Sequence, residues 1–143
     1  MLKNLIENFI RRTKNENFSF DSNISNRIIW SYGFVHGINL LRGFRFCNFK
    51  KRGRLLFFGK NVSLFNRPNI RFGENVIIGN FVKLSALGKK PLKIGNNVNI
   101  GSFSQLIIST SFNNFGEFIE IVDNVGMGEF AYIGGGGGTS IGV

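Results

Sequence analysis

Phe72-Gly73-Glu74-Asn75-Val76-Ile77-Ile78-Gly79 returns 22 residues later as Ile94-Gly95-Asn96-Asn97-Val98-Asn99-Ile100-Gly101. The four-residue phrase inside both, Gly-x-Asn-Val, also stands at Gly59-Lys60-Asn61-Val62, and Val122-Asp123-Asn124-Val125 lacks only the glycine. An apolar residue precedes each copy (Phe58, Phe72, Ile94, Ile121), and apolar residues return at Leu64, Ile78, Ile100 and Met127, six positions on. In the last three copies another follows after six more, at Leu84, Leu106 and Ile133. A helix would need a period of 3.6 and a half-buried strand a period of 2, so neither explains the spacing. Phrases recurring at this length signal a solenoid.

A period of six fits a short strand that turns a corner and points one anchor residue into the axis of a triangular prism. Three such sides make one coil. Gly after the anchor, and Asn further along, are residue types that accept left-handed backbone angles at corners. The small or β-branched residue four positions after the anchor (Val62, Val76, Val98, Val125, Ala131) is expected to pack the same interior. The Val of the phrase recurs after 14, 22 and 27 residues, where three regular sides would give 18, so the excess must loop out. Ser85–Leu92 and Ser109–Glu117 are the expected loops. The short first interval predicts an irregular opening coil around Phe65–Arg71, where Pro68 breaks the ladder.

Ahead of the array the pattern is helical. Leu2, Leu5, Ile6, Phe9 and Ile10 fall on one helical face, with Lys3, Glu7, Arg11 and Lys14 elsewhere. Asn15–Asn23 reads as a polar linker in which Asp21 or Ser22 could cap a second helix, expected over 24–45. Residues 1–60 carry 12 Lys/Arg against 3 Asp/Glu, and residues 61–143 carry 6 against 5, so nearly all of the net charge of +10 lies at the front. The longest uncharged stretch ahead of the array, Ile28–Leu41, is too short to span a bilayer. Met1–Lys14 has no unbroken apolar run of the secretory kind. The single cysteine, Cys47, cannot close an intrachain disulfide, and no set of residues has metal-ligand spacing. These features predict a reduced, cytoplasmic chain.

Arg42, Arg45, Lys50, Lys51, Arg52 and Arg54 form an acid-free run interleaved with Phe44, Phe46 and Phe49. Cations beside aromatic rings suit an anionic membrane surface or a lipid-linked substrate on the inner face of the membrane. A solvated flank of the first coil ranks close behind, and nucleic acid a distant third. The one histidine, His36, falls in the second helix and reads as a surface or partly buried side chain. Gly134–Ser140 lacks the lysine of a phosphate-binding loop and reads as a tightly packed corner. Glu129 and Tyr132 could face an acceptor, but plain exposed strand positions are the stronger reading of both.

Residues 58–142 resemble the hexapeptide-repeat acyltransferases, on Phe72–Gly79, Ile94–Gly101 and Met127-Gly128-Glu129-Phe130-Ala131-Tyr132-Ile133-Gly134. The Gly-rich run Tyr132–Gly142 is similar to the branch that O-acetylates sugars in capsule, O-antigen or exopolysaccharide assembly. The resemblance implies an all-β fold, a left-handed parallel β-helix over 54–143, preceded by an N-terminal amphipathic helical, basic segment over 1–53. It implies a homotrimer, acetyl-CoA as co-substrate, and a sugar or lipid-linked glycan acceptor. The implied chemistry is direct transfer, with a histidine as general base and backbone N–H groups at the oxyanion. In that branch the histidine lies just past the Gly-rich run, so the expectation is a chain truncated mid-coil before it, with no catalytic residue within 1–143. The contrasting expectation is a non-catalytic β-helical scaffold or membrane-associated assembly module.

Overall fold

The computed structural model describes residues 2–13, 16–46 and 55–142. Two compact units emerge, residues 1–38 and 39–143. The first holds helix α1 (Leu2–Thr13) and the start of α2 (Asn26–Phe46), whose last turns group with the coils. Helices of 12 and 21 residues mean that the chain is not all-β; the β class belongs to the array alone. Asp21 acts earlier than a helix cap would. Its carboxylate accepts from the Asn23 N–H at 2.8 Å, closing a turn, and α2 opens later, where the Ser25 carbonyl accepts from Ile28 and Ile29.

Twelve short strands follow: β1 (Leu56–Phe58), β2 (Ser63–Phe65), β3 (Ile70–Phe72), β4 (Val76–Ile78), β5 (Lys83–Ser85), β6 (Leu92–Ile94), β7 (Asn99–Ile100), β8 (Gln105–Ile107), β9 (Ile119–Ile121), β10 (Gly126–Met127), β11 (Tyr132–Gly134) and β12 (Thr139–Ile141). They form three four-stranded parallel sheets, β1-β4-β7-β10, β2-β5-β8-β11 and β3-β6-β9-β12. Every third strand returns to the same sheet, so the chain winds through four coils of a parallel β-helix. Parallel neighbours need long connections, and one circuit of the prism supplies them.

The register explains the six-residue period and its exceptions. Phe58, Ile78, Ile100 and Met127 stack on the first sheet, and Leu64, Leu84, Leu106 and Ile133 stack on the second, each six residues later. Phe72, Ile94, Ile121 and Ile141 stack on the third. From the third sheet back to the first the step is again six. From second to third it is 8, 10, 15 and 8, so all the surplus collects at one edge. Inside, Phe58, Val76, Ile78, Val82, Leu84, Leu92, Ile94, Val98, Ile100, Leu106, Ile119 and Ile121 are fully buried. Each such side chain contributes about 1.5–3 kcal/mol by leaving water.

Two expectations are corrected by this register. Gly59–Val62 is not the first copy of the Gly73 and Gly95 corner: it follows the first sheet, and its Lys60 N–H donates to the Oδ1 of Asn80 from the coil above. The 14-residue interval therefore compares different corners. The opening coil is regular except for a 3-10 turn at Arg67–Asn69 that contains Pro68. Gly after the anchor is also not a left-handed position, apart from Gly142 (φ 126°). Successive coils approach too closely there for a side chain. At Gly59, Gly79 and Gly101 a β-carbon would lie within 2.6 Å of backbone in the next coil.

The left-handed angle falls two residues later. It is taken by Asn75, Asn97 and Asn124 at one corner and by Asn61, Phe81, Phe103 and Phe130 at another. Asparagine fits this conformation; phenylalanine carries a steric cost. The Asn75 amide donates to Asn97 at 2.9 Å and Asn97 to Asn124 at 3.2 Å, joining three coils. The phenylalanines stack nearly parallel, with centroids 5.2 and 5.0 Å apart. Stacking of about 0.5–1.5 kcal/mol per pair offsets the backbone cost. Phe103→Ala loses both stacks and keeps the strain, whereas Phe103→Gly loses the stacks and relieves it. Urea melts are expected to rank wild type above Gly and Gly above Ala, with Gly ahead of Ala by about 1 kcal/mol. Equal values for Gly and Ala would remove the strain.

Candidate functional site

The edge between the second and third sheets is where a regular scaffold becomes individual. In solenoids, insertions gathered on one face commonly form the binding face. Residues 86–91 and 108–118 loop out here, joined by the 3-10 turn of the first coil and Gly135–Gly138 of the fourth. The loops are ordered against one another: Gly88 and Gly116 pair as a parallel bridge, and the Lys89 and Lys90 N–H groups donate to the carbonyls of Gly116 and Glu117. From below, the Asn66 amide reaches the Ala86 carbonyl at 2.9 Å. The Asn69 amide lies 3.0–3.2 Å from the carbonyls of Ala86, Gly88 and Lys90. Phe112, at the loop's outer end, meets the edge of Phe65 in the first coil, with centroids 6.1 Å apart.

Electrostatics at this edge are modest. Lys89 Nζ donates to Glu117 Oε1 at 2.6 Å, and this bond holds the Glu117 carboxyl below its ordinary range. Lys90 Nζ lies 5.4 Å from the centre of the Phe118 ring, a cation–π distance. Two lysines against one carboxylate leave one positive charge in excess. Gly135 and Gly138 are packed against Phe118 and Ile119, so the glycine run is a tight corner, while Gly136 and Gly137 face open space. Thr139 Oγ1 donates back to the Gly134 carbonyl at 2.6 Å. The edge offers backbone amides, carbonyls and a cation, and its sequence contains no histidine to take a proton.

An open depression lies on the third sheet, lined by Lys93, Gly95, Glu120, Asp123 and Asn124 among others. Its charges are already committed. Lys93 donates to Glu120 at 2.9 Å, which raises the lysine above its ordinary value, and Asp123 accepts from the Asn96 N–H at 2.7 Å.

Arg42 is half-buried on α2 and donates to Asn39 Oδ1 at 2.9 Å. Arg45 lies on α2, but its side chain is outside the described residues, as are Cys47, Lys50, Lys51, Arg52 and Arg54 altogether. His36 is half-buried on α2, its ring 4.0 Å from that of Tyr32. Glu129 is exposed on the corner after β10, and Tyr132 points outward at the start of β11. Asn66 and Asn69 escaped notice. Their signal was two asparagines flanking Arg67-Pro68 at the corner that must hold the longer loops above.

Among the described residues no group of three or more His, Cys, Asp or Glu could hold a metal ion, and no helix is long and apolar enough to cross a membrane. No family model, no curated protein and no solved structure matches the chain. Fold and edge together define a parallel β-helix that carries its inserted loops on one side.

Proposed function

We propose that the array winds left-handed and is the coil domain of a hexapeptide-repeat acyltransferase, of the kind that moves an acetyl group from acetyl-CoA to a sugar hydroxyl in surface polysaccharide synthesis. The observation that carries this reading is the strict step of six at two corners with every insertion at the third. Such a scaffold presents loops at a fixed spacing while its core stays invariant. Acetyl-CoA supplies an activated thioester. Lys90 and the open backbone at Gly136 and Gly137 suit its pyrophosphate, while Lys89 is neutralised by Glu117. The sequence resemblance to that family implies a trimer with the coenzyme bound between neighbouring subunits.

Transfer needs a base to accept the proton of the attacking hydroxyl. No histidine lies on the coils, and His36 is on α2, so residues 55–142 can bind and orient but hold no imidazole for this step. Three measurements test the reading. Sedimentation and equilibrium dialysis of the chain should show a trimer that binds acetyl-CoA saturably, and an acetyl-transfer assay with sugar acceptors should show no turnover above buffer. A monomer without saturable binding would favour the non-catalytic scaffold, and turnover would refute the missing base.

A further inference from the structure

The corner between the first and second sheets is not the edge that carries the inserted loops, and it holds a surface of its own. Its stacked rings, Phe81, Phe103 and Phe130, are 49%, 45% and 71% exposed and run through three coils. Each sits on a left-handed backbone (φ 56°, 62° and 57°), a conformation taken at lower cost by Asn61 at the same corner of the first coil. Bulky apolar residues held in a strained conformation and left facing solvent point to a contact made outside the chain. Beside the rings runs a second column. The N–H groups of Phe81, Phe103 and Phe130 donate to the carbonyls of Lys60, Asn80 and Ser102 in the coil beneath. Lys60, Asn80, Ser102 and Glu129 therefore stand in line from the first coil to the fourth. Lys60 and Glu129 are exposed, and among the described residues neither side chain has an ion-pair partner.

The column is positive at one end, polar and uncharged in the middle, and negative at the other. That order selects the occupant. A second copy running in the same direction would set Lys60 beside Lys60 and Glu129 beside Glu129. A copy turned about a two-fold axis between the second and third coils brings its fourth coil against the first. Lys60 then meets the partner's Glu129 at both ends of the contact, and Phe81 meets the partner's Phe103. An anionic bilayer finds no net charge here, because the one cation of the column is matched by one carboxylate. We propose that the phenylalanine corner is a self-association surface on which a second copy of the chain docks antiparallel, ladder against ladder. Three rings and the ends of one column make a small interface, so association in about the micromolar range is expected. The contact depends neither on acetyl transfer nor on the trimer that the family resemblance implies. A two-fold gives two copies, or six where trimers pair.

Sedimentation velocity of the full chain over about 1–300 μM tests the contact. Wild type should shift to a species of twice the copy number as concentration rises. Lys60→Glu or Glu129→Lys alone sets like charges together at both ends and should weaken association about fivefold or more at low salt. Lys60→Glu combined with Glu129→Lys restores opposite charges and should return the affinity to within about twofold of wild type. Phe81→Asn with Phe103→Asn replaces the rings by a residue that takes the left-handed angle, as Asn61 does, and should abolish the doubling. The charge variants alter only exposed side chains, so their result stands even if the ring variant misfolds. Absence of doubling at the highest concentration overturns the proposal, as does doubling that the single reversals leave unchanged or that the combined exchange does not recover. A trimer indifferent to all of these variants would overturn it too, while leaving the acetyltransferase reading in place.

Discussion

Leu84→Ala is expected to lower stability by about 2–5 kcal/mol, seen as a lower urea midpoint at unchanged slope. Leu84 is fully buried and sits in register between Leu64 below and Leu106 above. Truncation opens a cavity on the prism axis that three parallel sheets cannot close, because their backbone ladders fix the spacing of the walls. In a solenoid each coil is stabilised mainly by its neighbours, so a defect in the second coil loosens the first and the third together. Lys83, the preceding residue on β5, points outward, and Lys83→Ala should change stability by no more than about 0.5 kcal/mol. Comparable losses at the two positions would mean that the inward and outward assignment is wrong.

The core was legible because six-residue spacing forces alternate residues of each strand inward: Ile78, Ile100, Leu84 and Leu106 could be named before their neighbours were known. The loops at 86–91 and 108–118 were legible for the same reason, as surplus over the period. Corner identity was not. Asn61 and Asn75 look alike in sequence yet lie on different edges, and only the stacking of Lys60 beneath Asn80 separates them. The phenylalanine ladder was hidden because Gly79-Asn80-Phe81-Val82 and Gly101-Ser102-Phe103-Ser104 replace the asparagine with a residue that rarely takes a left-handed angle. On α1 the amphipathic face could be read from periodicity. Which face the chain itself would cover could not, since Lys3, Glu7 and Arg11 are satisfied by backbone groups of a linker that carries no pattern. The candidate edge was half legible: its loops show as surplus residues, its supporting asparagines do not.

Gly101→Ala should cost about 1–3 kcal/mol. A β-carbon there would come within 2.5 Å of the Gly128 carbonyl carbon and 2.6 Å of the Glu129 nitrogen, both backbone atoms held by the ladder. Gly37, exposed on α2 with nothing within 4 Å of its β-position, should respond with the opposite sign, Gly37→Ala gaining about 0.5–1 kcal/mol. A third substitution separates the two reasons a corner can demand glycine. If the corner needed a left-handed angle, asparagine would serve nearly as well as glycine and better than alanine. Because the backbone at Gly101 is not left-handed and the constraint is contact between coils, the larger asparagine should be worse than alanine. Denaturant midpoints ordered Gly, Ala, Asn would show that close approach of successive coils selects the glycine. Asparagine ranking above alanine would return the position to a conformational role and place the tight contact elsewhere in the corner.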